Sequence, residues 1–155
     1  MSRAFVKEPD GLEAFEELPD KLISEHRNLV TPAGLARIDN AVSEAQKALA
    51  LAQAANDRAA IARAQRDLRY WTQRQSTAEV QAAAAPDGSV QFGSEVTIAR
   101  ADGRRQTYRI VGEDEADPAS GTISYVSPLA QALLEKTVGD EVLAGATLAE
   151  IVAIA

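Results

Sequence analysis

In the stretch LAQAANDRAAIARAQRDLRYW, Leu51 to Trp71, two helical patterns meet at a polar reversal, Asn56-Asp57-Arg58. Asp57 is the one side chain there that would ligate a hard cation. Divalent sites built on carboxylates need several oxygens. The next acid, Asp67, lies about three helical turns further on. Aspartate is also an ordinary turn and capping residue, so Asp57 reads first as the residue that turns the chain and only as a weak catalytic candidate. A second acidic cluster, EDEAD over Glu113–Asp117, lacks the glycine and the spaced ligands of an EF-hand loop and reads as a solvated loop. His26, the single histidine, has no companion and receives no role. No phosphate-binding loop, nucleophile elbow or His-metal spacing appears, so no catalytic set and no metal site are expected.

The arginines carry a stronger pattern. On a wheel of about 100° per residue, Arg58, Arg63, Arg66, Arg69 and Arg74 fall within an arc of about 160°. Ile61, Ala64, Leu68 and Trp71 occupy the opposite side. A basic face opposed to an apolar one predicts a helix that packs on one side and offers positive charge on the other.

Charge is distributed unevenly. The net −7 divides into −3 for residues 1–30, +2 for 31–80 and −6 for 81–155. An acidic body argues against autonomous duplex binding. A basic middle segment on such a body suits a protein partner that itself holds nucleic acid. Apolar residues make up 46%, much of it alanine, and aromatics only 5%, so one large aromatic core is not expected. The absence of cysteine excludes disulfides and thiolate metal sites. No apolar run approaches the roughly 20 residues that cross a bilayer, and the N-terminus lacks the apolar core of a signal peptide. A soluble, cytoplasmic protein with no membrane partner is expected.

These features rest on two kinds of element. Thr31-Pro32 is a helix start, with threonine as cap and proline at the first helical position. Leu35, Ile38, Val42, Ala45, Leu49 and Ala52 follow at spacings of three and four, and Ile61, Ala64, Leu68 and Trp71 resume the seam beyond the reversal. The pattern predicts an antiparallel helical hairpin. After Pro86-Asp87-Gly88 the period changes to two: EVTIAR and RRQTYRIV flank an Asp102-Gly103 turn, GTISYV follows, and GDEVLA and LAEIVAIA close the chain. Ser127-Pro128 starts one short helix between them. The fold class is α+β: a flexible acidic tail over 1–30, a coiled-coil hairpin over 31–80, a linker over 81–91, and a small antiparallel β domain with one short helix over 92–155.

Phe92 to Val142, through YRIVGEDEAD, ISYVSPLAQALL and VGDEV in unbroken order, resembles the C-terminal domain of the bacterial GreA/GreB transcript-cleavage factors. LVTPAGLARI and RDLRYW resemble the start and end of that family's N-terminal coiled coil, and MSRAFVKE resembles its GreB side. The resemblance implies an FKBP-like C-terminal domain that grips RNA polymerase at its secondary channel, and a coiled coil that enters the channel. In the family the polymerase cuts backtracked RNA, and acidic residues at the tip help bind its Mg²⁺. It therefore implies no enzyme activity of the chain's own, Mg²⁺ only through the polymerase, and nascent RNA or DNA met only within the polymerase complex. A monomer is expected. Two departures stand out. The tip holds one carboxylate where the family has two, on arms shorter by roughly two to three turns. At the strand-to-helix corner, Val126 and Gln131 replace the family's Asp or Asn and its arginine, while Ser127, Pro128, Leu133 and Leu134 match. Docking is expected at Tyr125, Val126, Ser127, Pro128 and Gln131. Three functions fit: a polymerase-bound regulator of elongation or rescue of backtracked complexes, a cleavage-incompetent channel competitor like the nucleoside-diphosphate-kinase-regulator relatives, or a coiled-coil module unrelated to polymerase. A prolyl isomerase would follow from fold analogy alone.

Overall fold

The structure, a computed structural model, describes residues 18–82 and 87–155. Residues 1–17 of the expected tail and 83–86 of the expected linker, Pro86 among them, lie outside the described residues.

The hairpin begins where the cap-and-proline signal predicts. Thr31 Oγ1 accepts from the Gly34 N–H at 3.0 Å, and α1 runs Pro32–Ala54. The chain reverses through Asn56, whose φ of 51° lies in the left-handed region that asparagine tolerates. Asp57 then caps α2, Arg58–Thr77, with Oδ1 accepting from the Ala60 N–H at 3.0 Å. The buried seam is leaner than the heptad reading. Ile38, Val42, Ala45 and Ala52 meet Ala62 and Ala64, whereas Leu35, Leu49, Ile61, Leu68 and Trp71 are only half-buried. Small residues let the helices approach closely, so the hold depends on close contact more than on buried area.

The tail expected over residues 1–30 is corrected across its described part. Residues 18–30 form a strap laid along α2, because its charges complement those of the helix. Asp20 pairs with Arg69 at 2.6 Å and Lys21 with Asp67 at 2.8 Å. The strap ends in β1, Leu29–Val30, parallel to β2, Glu79–Val80. Asn28 and Val30 are buried.

The second unit is a five-stranded sheet of β3 (Glu95–Arg100), β4 (Arg105–Val111), β5 (Thr122–Ser124), β6 (Glu141–Ala144) and β7 (Thr147–Ile154), in the order β5-β4-β3-β7-β6. β3 and β4 form the hairpin predicted around Asp102-Gly103. The sheet is mostly antiparallel. β5 alone pairs parallel, with β4, because residues 112–121 carry the chain back across the sheet end through a 3-10 turn at Pro118–Ser120. Ser127 Oγ caps α3, Pro128–Leu133, by accepting from the Ala130 N–H. Ala130 and Leu133 of α3 pack onto Val96, Ile98, Ile110 and Ile151 in the core. Val90 belongs to this core and its N–H donates to the Lys136 carbonyl at 2.8 Å. The β unit therefore begins before residue 92, inside the expected linker.

Polar contacts between the two units, among the described residues, converge on Glu113–Glu115 and Tyr125. The solvated-loop reading of EDEAD is thereby corrected. Arg74 is 2% exposed; its Nε donates to Asp114 Oδ2 at 2.6 Å and its guanidinium donates to Asn28 Oδ1 at 2.7 Å. The Tyr70 hydroxyl donates to Asp114 Oδ1 at 2.6 Å. Asn28 returns a bond from Nδ2 to the Arg74 carbonyl at 2.8 Å. Glu115, also buried, sits at the N-terminus of α1, where its carboxylate accepts from the Thr31 N–H at 3.0 Å, the Gly112 N–H at 3.1 Å and the Thr31 hydroxyl. A carboxylate there meets the unpaired N–H groups and positive end of the helix. Two glycines make the seat possible: a Cβ on Gly34 would fall 2.2 Å from the Glu115 carboxylate, and one on Gly112 would fall 2.3 Å from the Leu29 carbonyl oxygen.

The Gly112 contact is with backbone, which cannot swing aside. Gly112→Ala should therefore destabilise the chain by about 1–3 kcal/mol, read as a lower urea midpoint. Burial, followed by the hydrogen bond and charge of Asp114, pushes the Tyr70 hydroxyl up to about 12 from its ordinary 10.0. A raised value favours the protonated form in the folded state. Its contribution is therefore complete below pH 10 and is lost as pH rises through about 12. A phenolate absorbance titration should show a component near 12 that Tyr70→Phe removes.

Candidate functional site

The hairpin tip is built by the reversal itself. Asp57 has an extended backbone because it is the cap of α2, and one of its two oxygens is committed to the Ala60 N–H. Arg58 follows at the first helical position. Asp57 by itself offers a divalent cation too few oxygens at the tip. Asp57 has no second acid at the tip, and among the described residues no group of three or more His, Asp or Glu side chains is placed to hold a metal.

The arginines separate along α2. Arg58, Arg63 and Arg69 are exposed and Arg66 is half-buried. The strap pairs with the middle of the face: Asp20 Oδ1 accepts from Arg69 Nε at 2.6 Å, and Lys21 lies 5.6 Å from the centroid of the Tyr70 ring. Burial pushes the Asp67 carboxyl up, but the hydrogen bonds and charges of Lys21 and Arg66 outweigh it and leave Asp67 below its ordinary value. Toward the tip Arg58 and Arg63 are exposed, while Arg66 pairs with Asp67 at 3.3 Å. Between strap and helix lies an open groove of about 900 Å³ lined by Ile23, Leu68, Thr72 and Ser76, among others.

Arg74 does not belong to this face. It is buried at the base of the hairpin, where Asp114 pairs with its charge and Asn28 Oδ1 accepts a second hydrogen bond. The wheel held a signal for this. Arg74 lies about 60° from Trp71 on the apolar side and about 140° from Arg69, so it stands at the edge of the packing face. Asp114, Glu115 and Asn28 were missed because their partners are distant in sequence.

The corner expected to dock is formed as a rigid turn. Ser127 caps α3 and Pro128 occupies its first position, exposed. Gln131 Nε2 donates back to the Tyr125 carbonyl at 2.7 Å, so the residue that departs from the resemblance braces the turn. Val126 is half-buried, and the Tyr125 ring meets Phe92 edge-on at 5.7 Å. Burial, then the charge of Glu113, raises the Tyr125 hydroxyl above its ordinary value. That hydroxyl donates to the Arg27 carbonyl of the strap. The structure thus brings Tyr125, Val126, Ser127, Pro128 and Gln131 together at one corner, beside the base of the hairpin and separate from the arginine face.

Residues 85–154 match the family described as "Transcription elongation factor, GreA/GreB, C-term". Over 58 residues the chain is 52% identical to transcription elongation factor GreA of Francisella philomiragia, covering 37% of this chain and 36% of that protein. Over 52 residues it is 52% identical to transcription elongation factor GreB of Neisseria meningitidis, covering 34% of this chain and 32% of that protein. The matches span about a third of the length of these curated relatives. The crystal structure of GreA factor homolog 1 (Gfh1) of Thermus thermophilus aligns with a TM-score of 0.41 at 24% identity, covering 84% of this chain and 99% of that one. No helix among the described residues is long and apolar enough to cross a membrane. Over residues 85–154, which contain the corner from Tyr125 to Gln131, the chain is similar to the C-terminal domain of the GreA/GreB factors.

Proposed function

We propose that this chain is a Gre-type regulator of transcription elongation that binds RNA polymerase at its secondary channel and works there as a cytoplasmic monomer. The carrying observation is the family match over residues 85–154, which contains the whole corner from Tyr125 to Gln131. A proline-fixed, side-chain-capped corner is already ordered, which lowers the entropic cost of docking. The hairpin is the part that enters the channel; α2 alone reaches about 30 Å. Its tip-side arginines meet phosphates of RNA or DNA inside the complex, or acidic channel walls. The chain is not itself an enzyme: bond cleavage, and the Mg²⁺ it needs, belong to the polymerase.

The tip favours a second, narrower reading, in which the protein occupies the channel without promoting RNA cleavage. One aspartate with an oxygen committed to a helix cap is a poor partner for a shared cation.

Purified core polymerase tests both. The chain should co-migrate with it, and substituting Ser127 and Pro128 together by bulky charged residues should abolish co-migration while the fold is retained. No binding by the parent chain would leave a coiled-coil module unrelated to polymerase. In backtracked complexes the chain should change elongation without increasing RNA cleavage. Arg63→Glu with Arg66→Glu should weaken that effect and reduce its salt sensitivity. Asp57→Asn keeps the capping oxygen and should change little. Strong cleavage by the parent that Asp57→Asn abolishes would show that one tip carboxylate suffices.

A further inference from the structure

The hairpin and the β unit meet through a narrow joint. Among the described residues, every polar side-chain bond that links residues 18–82 to residues 87–155 ends on Glu113, Asp114, Glu115 or Tyr125. Within it, Arg74 has the best geometry for setting direction. Its planar guanidinium is buried and held from two sides, by Asp114 of the β unit at 2.6 Å and by Asn28 of the strap at 2.7 Å. A second carboxylate oxygen, Glu113 Oε2, lies 3.8 Å from it, buried and without a hydrogen-bond partner. Tyr70, one turn earlier on α2, adds a second point of attachment on the same Asp114. Two bonds from one helix to one carboxylate restrict rotation as well as separation. The docking corner shares the joint, because the Tyr125 hydroxyl holds the strap at Arg27, next to Asn28.

We infer that Arg74, with Asp114 as its seat, is the positioning residue that sets the direction in which the hairpin leaves the docking domain. Binding strength then resides at the corner, and the effect on transcription depends in addition on this aim. Only the last part rests on the polymerase reading above. The geometric part concerns the free protein and stands or falls by itself.

The chain has no cysteine, so Ala54→Cys near the tip and Ala101→Cys in the β3–β4 turn supply the only thiols for a pair of spin labels. Both positions are exposed. In the full-length parent, electron–electron dipolar spectroscopy should give one narrow distance distribution. Asp114→Asn removes the charge opposite Arg74 and should broaden or shift it, while helical circular dichroism is retained. Arg74→Lys, which keeps the charge and loses the fork, should do the same. An unchanged narrow distribution in both overturns the inference. If Asp114→Asn unfolds, Tyr70→Phe decides: it removes one hydrogen bond and no charge, and a distribution identical to the parent's overturns the proposal. With polymerase, folded Asp114→Asn should bind within about threefold of the parent. At saturation its effect on elongation should fall at least tenfold. Equal loss of binding and effect would contradict a positioning role. Failure of the parent itself to bind polymerase would defeat the functional reading and leave the distance result intact.

Discussion

A buried arginine holds this molecule in one shape. Arg74 leaves water at the base of α2, and removing an ion from water costs several kcal/mol unless its partners are close and well oriented. Asp114 and Asn28 meet that requirement at 2.6 and 2.7 Å. Each comes from a different part of the chain, so the bonds that satisfy the charge also join hairpin, strap and sheet. Leaving such a charge unpaired typically costs 3–5 kcal/mol, a large share of the roughly 5–15 kcal/mol that holds a domain folded. The joint is therefore a condition of the tertiary arrangement as well as an attachment.

The remaining structure divides its work around that joint. The sheet closes an aliphatic core of Val, Ile and Leu residues under α3 and presents a stiff corner at Tyr125–Pro128. The hairpin seam, rich in alanine, is narrow and keeps its polar length outside. Glu115 ties the start of α1 to the same loop that supplies Asp114, so both arms of the hairpin are anchored on two consecutive residues of the β unit. One acidic loop thus bonds to the base of each helix, and charge on the free end of the hairpin is left to the exposed arginines.

Signals confined to a few neighbouring residues were legible in the sequence. Thr31-Pro32 and Ser127-Pro128 marked two helix starts, Asp102-Gly103 marked the hairpin turn, and the change of period separated the helical unit from the sheet. Asp57 was legible as a turn residue for the same reason. The joint was not. Arg74 and Asp114 are 40 positions apart, and Thr31 and Glu115 are 84 apart. Neither charge differs in composition from a solvated one. The strap was missed because its pairing with α2 is electrostatic and has no period. Val90 reads as linker in the sequence because a single apolar residue between turns gives no alternation.

Hydrogen–deuterium exchange on the full chain, alone and with core RNA polymerase, tests the central claim most directly, since it reports every segment in one measurement. Binding by corner and hairpin together predicts slower exchange at residues 125–133 and along the tip-side half of α2, with the β6–β7 edge unchanged. Protection confined to that edge, or no change at the corner and on α2, would contradict it.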